Sequence, residues 1–309
     1  MKSALSMLPF VKFDSIDALH HYKDVGGEFL EVAPLDVDYR YTSEDRFRAY
    51  QRTLDELDLK PVQVHLPYRG PEGNDIGNLN ELIRDYSVEI VRKALDYAAR
   101  LGVRWAVLHP GSLETIEDEH VHRKIVDNVI ESCRVLHGYG AERGVTLCVE
   151  NMFARKGVNV PPDPDHPLPT PAGPTYRFGI CADDLLMIRS AIPDIHFCFD
   201  PGHALLNGLN LVGEIRKLGQ SLAALHLNEN NADWDAHKIP WQTGRVDWRQ
   251  FIDALVEIGY DKKGFLTLEV RRGDNHAESM SIAADAVSAG RKLAGMHAEI
   301  VGTSTPAAS

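Results

Sequence analysis

Cysteine, long apolar runs, basic charge and glycine-rich phosphate loops are all scarce in this sequence, and each scarcity removes a class of protein. The four cysteines, Cys133, Cys148, Cys181 and Cys198, show no CxxC spacing, and two of them fall inside apolar strand-like runs. That excludes a disulfide scaffold and a cysteine-rich zinc ribbon, and it reads as reduced core thiols of an intracellular protein, with the cytoplasm as the expected compartment. No run approaches the roughly 18 apolar residues needed to span a bilayer. The opening MKSALSMLPFVKF has no h-region followed by a cleavage site, so no membrane partner or secretion signal is expected.

Lys and Arg number 33 against 45 Asp and Glu, a formal net charge of −12. A protein that grips a nucleic-acid backbone normally presents a basic face that releases counterions, so nucleic acid is a disfavoured partner, though a local basic patch inside an acidic total is compatible with it. No GxGxxG or GxxxxGK[ST] turn follows any strand-like run, which removes the common nucleotide-binding sheets.

What is present is an alternation of short apolar runs with longer amphipathic ones. Strands are expected over 8–11, 28–32, 61–66, 104–108, 146–149, 196–199, 222–225 and 265–268. Helices are expected over about 15–22, 43–57, 78–101, 119–139, 182–192, from near 203, 248–258 and 278–293. Eight strand–helix pairs without a hairpin signal predict an α/β fold, a single (β/α)8 TIM barrel; an open doubly wound sheet is the alternative. A barrel uses roughly 250 residues as one domain, so residues 1–300 read as one domain and 301–309 as a disordered tail. Residues 153–179 interrupt the repeat with seven prolines, fitting neither helix nor central strand, and read as an inserted loop. Rooted directly after Glu150, this loop is expected to be an ordered cover over the site or, alternatively, an excursion packed on the outer helices or on a second subunit.

Catalytic groups of such barrels come from the C-terminal ends of strands. The third to eighth strands end at His65, His109, Glu150, Asp200, His226 and Glu269. Residues two apart on a strand share a face. The positions two before these ends are Gln63, Val107, Cys148, Cys198, Ala224 and Thr267, mostly small or polar, whereas the intervening Val64, Leu108, Val149, Phe199, Leu225 and Leu268 are bulky. That parity points the six ends into the barrel mouth. A lone histidine in an apolar run is more often a hydrogen-bonded core residue, and a lone strand-end carboxylate more often a helix cap. Six at equivalent positions instead predict a divalent metal site of nitrogen and oxygen ligands at the C-terminal face. His203 in DPGH, where Gly202 permits a tight turn and close backbone approach, extends the set, as do Asp235 and His237, which an extended loop would point the same way.

The motifs HLPY, LHPGS, VEN, FDPGH, LHLNEN followed by DxH and VDW, and LEV together resemble the xylose isomerase-like TIM-barrel superfamily, which includes sugar phosphate isomerases and epimerases and is related to endonuclease IV. The resemblance covers about residues 28–293. In the epimerase branch it implies a metal held by Glu150, Asp200, His226 and Glu269, with His203 touching substrate. In the endonuclease IV branch it implies three zinc ions held by these residues together with His65, His109, Asp235 and His237. The proline-rich insertion departs from both patterns.

The leading expectation is therefore a metal-dependent isomerase or epimerase of a small sugar or sugar-like polyhydroxy carbonyl compound, acting by proton abstraction and a metal-stabilised enediolate. Glu150 and Glu269 are the expected proton-transfer groups, and His65, His109, His203 and Arg271 the expected substrate contacts. The cofactor is Mn, Zn, Mg or Co, as one ion or up to three. Alternatives are an endonuclease IV-like phosphodiesterase acting on abasic DNA, a related sugar or inosose dehydratase, and a binder without turnover, against which the two glutamates argue. The sequence leaves the substrate, the metal and homo-oligomerisation open.

Overall fold

The computed structural model describes residues 1–68, 75–111, 118–153, 177–231 and 234–304. Along the chain, β1 (Ser3–Ser6) is followed by α1 (Ser15–Asp24), β2 (Phe29–Val32) by α2 (Glu44–Glu56), and β3 (Lys60–His65) by α3 (Glu81–Arg100). Then come β4 (Trp105–Leu108) with α4 (Glu119–Ala141) and β5 (Thr146–Glu150) with α5 (Ala182–Ala191). After β6 (His196–Phe199) there are two helices, α6 (Pro201–Leu206) and α7 (Leu211–Leu218). β7 (Leu222–Leu225), α8 (Trp248–Glu257), β8 (Leu266–Leu268) and α9 (His276–Ser304) complete the order.

The strands form one parallel sheet in the order β7-β6-β5-β4-β3-β2-β1-β8. Leu227, just beyond β7, joins the two ends: its N–H donates to Thr267 O at 2.7 Å and its carbonyl accepts from Glu269 N–H at 3.2 Å. The sheet thus closes on itself, and the fold is the expected single (β/α)8 TIM barrel.

Helix starts follow local chemistry. The side chains of Asp14, Ser43, Asn80, Asp118 and Asp247 accept hydrogen bonds from the first free N–H groups of α1, α2, α3, α4 and α8. Each such cap is worth about 1 kcal/mol.

The expected strand parity is present. Val64, Leu108, Val149, Phe199, Leu225 and Leu268 lie in the main core that includes residues of both sheet and helices. Val107, Cys148, Cys198 and Ala224 form, with Trp105 and Ala223, a separate small cluster. Gln63 and Thr267 join across the interior by a hydrogen bond of 3.4 Å from Thr267 Oγ1 to Gln63 Oε1. Trp105 apart, the floor beneath the mouth is therefore built of small and polar groups.

Two boundaries differ from expectation. The apolar run at 8–11 is not the first strand but a 3-10 turn, Leu8–Phe10, with Pro9 at its start. β1 pairs with both β2 and β8 over Ser3–Ser6, and Pro9, which has no N–H to give to a ladder, opens the 3-10 turn instead. The last helix runs to Ser304, four residues into the stretch expected to be a disordered tail; residues 305–309 lie outside the described residues. Most of the proline-rich insertion, residues 154–176, also lies outside them, and with it the expected cover. Its roots are joined, Met152 N–H donating to Gly179 O at 2.6 Å.

Candidate metal centre

Glu150 ends β5, while Asp200, His226 and Glu269 directly follow β6, β7 and β8. One donor atom from each lies within 4.8 Å of the others, and all four residues are buried. His226 is the hub. Its Nδ1 lies 2.9 Å from Glu150 Oε1 and 3.3 Å from Glu269 Oε2.

The other expected residues gather on either side. His65 and His109 place their Nε2 atoms 3.9 and 3.3 Å from Glu150 Oε2. His65 Nδ1 is occupied by Leu66 O at 2.9 Å, which fixes the ring with Nε2 toward the cluster. On the opposite flank Asp235 Oδ2 lies 2.9 Å from His237 Nε2 and 3.4 Å from His203 Nε2. Among the described residues three ligand sets divide up the expected residues, His65, His109 and Glu150; Glu150, Asp200, His226 and Glu269; His203, Asp235 and His237, and two further groups overlap them, His65, His226 and Glu269, and Glu150, Cys198 and His226. All nine expected ligand positions meet in one mouth, with Glu150 shared by the first two sets.

The loop does not deliver Asp235 and His237 in the way expected. His237 is in the left-handed region at φ 41°, so the chain is not extended there. Asn230 holds the turn, its Oδ1 accepting from Ala236 and His237 N–H at 2.6 and 3.0 Å and its Nδ2 donating to Asp235 Oδ1 at 3.0 Å. Beneath it Glu229 accepts from the N–H groups of Trp241, Thr243 and Gly244 and from Trp248 Nε1, tying the whole loop to the end of β7. Glu229 is a structural carboxylate that strand-end counting does not single out.

Asp200 is a helix cap that also stands in the central cluster. Its Oδ1 caps α6 by accepting from His203 N–H at 2.8 Å, while Oδ2 accepts from Asn228 Nδ2 at 2.7 Å. The Gly202 of DPGH is required for space: a Cβ there would stand 1.8 Å from Asn228 Oδ1. Asn151 clamps β5 to β6 by donating to Asp200 O at 2.9 Å and accepting from Asp200 N–H at 2.7 Å.

Glu31 is a site residue that the strand-end reading misses. It is fully buried in β2, accepts from Gln63 Nε2, and places Oε2 2.7 Å from His226 Nε2. The signal was available in the register, since Glu31 pairs with Gln63, two residues before His65 and on the same face. Arg271 stands apart from the cluster. It is exposed at the rim with its guanidinium 5.9 Å from the Trp234 ring, and is not drawn into the buried cluster. Beyond β8 the chain leaves the pleat, Arg271 N–H donating to His237 O at 3.0 Å, so alternation no longer predicts its direction.

The electrostatics are those of crowded ionisable groups. Burial works against charge on His203, but Asp200, Asp235 and Glu150 outweigh it and raise its pKa to about 9. Burial lowers His109 to about 4, against the pull of Glu150. Asp200 rises to about 6, chiefly through burial, with His203 and His237 opposing. Glu150 and Asp235 are held well below the usual carboxylate range despite burial, by His226 and His109 in one case and by His237 and His203 in the other.

This donor set fits a divalent cation. Imidazole nitrogens mixed with carboxylate oxygens suit Mn, Zn or Co, and less well Mg, which prefers oxygen alone. Among the described residues Glu150 Oε2 and Glu31 Oε1 are buried without a hydrogen bond, Glu150 Oε2 having the Nε2 atoms of His109 and His65 nearby at 3.3 and 3.9 Å, an expensive arrangement for carboxylates that a cation beside them relieves. Glu31 on Nε2 of His226 leaves Nδ1 facing Glu150 and Glu269, as a ligating histidine needs.

Residues 19–292 match the model of the xylose isomerase-like TIM barrel family, and the chain belongs to that family. Among curated proteins it is similar to an uncharacterised protein of Methanocaldococcus jannaschii, 25% identical over 235 residues, covering 74% of this chain and 70% of that one. It is also similar to a probable endonuclease 4 of Aquifex aeolicus, 25% identical over 138 residues, 44% of this chain and 46% of the relative. Among solved structures a D-tagatose 3-epimerase-like protein superposes with a TM-score of 0.72 at 20% identity, over 98% of this chain and 99% of that one. That likeness is one of fold. Among the described residues no helix is long and apolar enough to cross a membrane.

Proposed function

We propose that the protein is a divalent-metal-dependent isomerase or epimerase of a small sugar or sugar-like polyhydroxy carbonyl compound. The observation that carries this reading is the pairing of Glu150 and Glu269 across the mouth. They are presented by β5 and β8, three strands apart on the ring, with His226 Nδ1 within 3.3 Å of both. Their surroundings differ, Glu150 being fully buried and Glu269 slightly open to the mouth. Two opposed carboxylates in unlike environments suit the removal of a proton from one face of a carbon and its return from the other.

A bound divalent cation supplies Lewis-acid polarisation of the substrate carbonyl and neighbouring hydroxyl. The chain's own residues do the rest. Glu150, held ionised, is suited to accept the proton from the carbon that carries the hydroxyl, and Glu269 to deliver one to the opposite face. His203, protonated at neutral pH, donates to a substrate oxygen, and His65 and His109 border the same space. The four free cysteines, three of them buried, suit a cytoplasmic setting.

The test is metal analysis of the purified protein together with a ketose and inosose panel in deuterated water. Solvent deuterium should enter one substrate at the carbon bearing the hydroxyl, and Glu150→Gln and Glu269→Gln should each abolish the exchange. A metal-loaded protein that exchanges no proton of any ketose overturns the reading. Loss of water from the product, seen by mass, would mark a dehydratase using the same proton abstraction.

The three adjoining ligand sets, two of which share Glu150, favour a second reading, an endonuclease IV-like phosphodiesterase. Its signature is a stoichiometry near three metal ions with chelator-sensitive nicking of abasic DNA and no action on ketoses.

A further inference from the structure

Arg177 lies near the end of the 153–179 insertion, the first residue described after 154–176, and it stands beside the mouth. Its side chain is buried, 8% exposed, with the guanidinium 4.7 Å from the centre of the Phe153 ring. Phe153 in turn packs on His203, the ring centres 5.0 Å apart. Nη2 of Arg177 is buried without a hydrogen-bond partner among the described residues. Asp235 is the carboxylate whose charge acts on it, yet both Asp235 oxygens are engaged, Oδ1 by Asn230 and Oδ2 by His237 and His203. Burial lowers the arginine to about 10, with Asp235 opposing, so it stays charged at neutral pH.

A buried guanidinium with an unused donor is costly unless something completes it. Arg177 belongs to none of the three ligand sets, and its planar fork over an aromatic ring is preset for an anion. The anion is constrained as well. A phosphate dianion calls for several donors, whereas Nη2 is the one arginine atom left buried and unmet there among the described residues that border Phe153. Glu31, Glu150, Asp200, Asp235 and Glu269 also line or underlie the same mouth and repel a double charge more than a single one.

We propose that Arg177 is a specificity-determining residue that receives a carboxylate of the substrate, so that the compound turned over is a sugar acid. This rests on the isomerase or epimerase reading above, and it selects within that class.

The experiment is calorimetric binding to the metal-loaded full chain of three probes: D-fructose, its terminal phosphate ester and D-fructuronate. A charge-assisted bond of this kind should give the acid about 10- to 100-fold tighter binding than the neutral ketose. Arg177→Gln should bring that ratio to about one, and Arg177→Lys should retain part of it, since a point charge replaces the fork. An acid that binds no more tightly than the ketose overturns the proposal, as does preference for the phosphate ester. A ratio unchanged in Arg177→Gln also overturns it, because the arginine would then only position Phe153. Binding is read without turnover. Failure of the isomerase reading would appear separately, as Arg177-dependent acid binding with no solvent proton exchange.

Discussion

Glu31 Oε2 lies 2.7 Å from Nε2 of His226, on the side of the ring opposite Glu150 and Glu269. The contact orients the imidazole and fixes which nitrogen faces the ligand cluster. Outer partners of this kind typically change metal affinity 10- to 100-fold. Glu31→Gln should therefore weaken the central metal by about 10- to 100-fold, measured by competition with a fluorescent chelator. Unchanged affinity in a folded variant would mean that Gln63 and the barrel floor hold His226 unaided.

Gly202→Ala should be among the most damaging small substitutions at the site. The added methyl would overlap Asn228, whose Nδ2 donates to Asp200 Oδ2 at 2.7 Å. Overpacking of this kind costs about 1–3 kcal/mol. The melting temperature should fall and metal affinity with it, whereas Gly208→Ala, where a Cβ meets nothing within 4 Å but φ is +70°, should lower stability alone. Equal metal affinity in the two variants would refute the coupling through Asn228.

Proton and metal should compete at Asp200. Its folded-state pKa, raised to about 6, lies above its ordinary value of 3.8, so protonation favours the metal-free fold at low pH and that contribution is lost as pH rises through about 6. Metal binding needs the carboxylate form. Affinity should accordingly fall as pH is lowered through about 6, with proton release on loading seen below that point and fading above it. Buffer-dependent calorimetry measures the released proton, and its absence at low pH would contradict the assignment.

Glu150→Gln should strip two ligand sets at once and leave the third. His203, Asp235 and His237 contain no atom of Glu150, and neither do His65, His226 and Glu269. Zinc or manganese content should drop in the variant, with residual binding left to those two groups. Full stoichiometry after the substitution would show that Glu150 is not a ligand.

Much of this was legible in the sequence because parallel strands end where the chemistry sits. His65, Glu150 and Asp200 follow runs of correct parity, so their direction could be read without a structure. Register was harder. Glu31 is followed by Val32 and then Pro34, and only pairing with β3 shows that it belongs to the same layer as Gln63. The run Leu8 to Val11 looks like a strand by apolarity, and the missing N–H of Pro9 counts against it. Arg271 and His237 were read by alternation past the point where the pleat ends, and the two outcomes differ for that reason. Asn230 turns His237 inward, while Arg271, bonded through its N–H to His237 O, carries its side chain to the exposed rim. Arg177 gave no signal, since an arginine beside a proline-rich stretch has no periodicity to betray its burial.

The closure at Leu227 places the joint of the hoop between His226 and Glu269. The two backbone bonds that join the ends of the sheet there flank two residues of the central ligand set. An ion gripped by both would work as a rivet through the overlap, and the gain in stability from loading, which grows with metal concentration, would be concentrated at that joint. Stripped of metal, the ring should part there first, with the amides of Leu227 and Glu269 exchanging sooner than those between β4 and β5. The device that recruits the cofactor would then also be the fastener of the whole architecture.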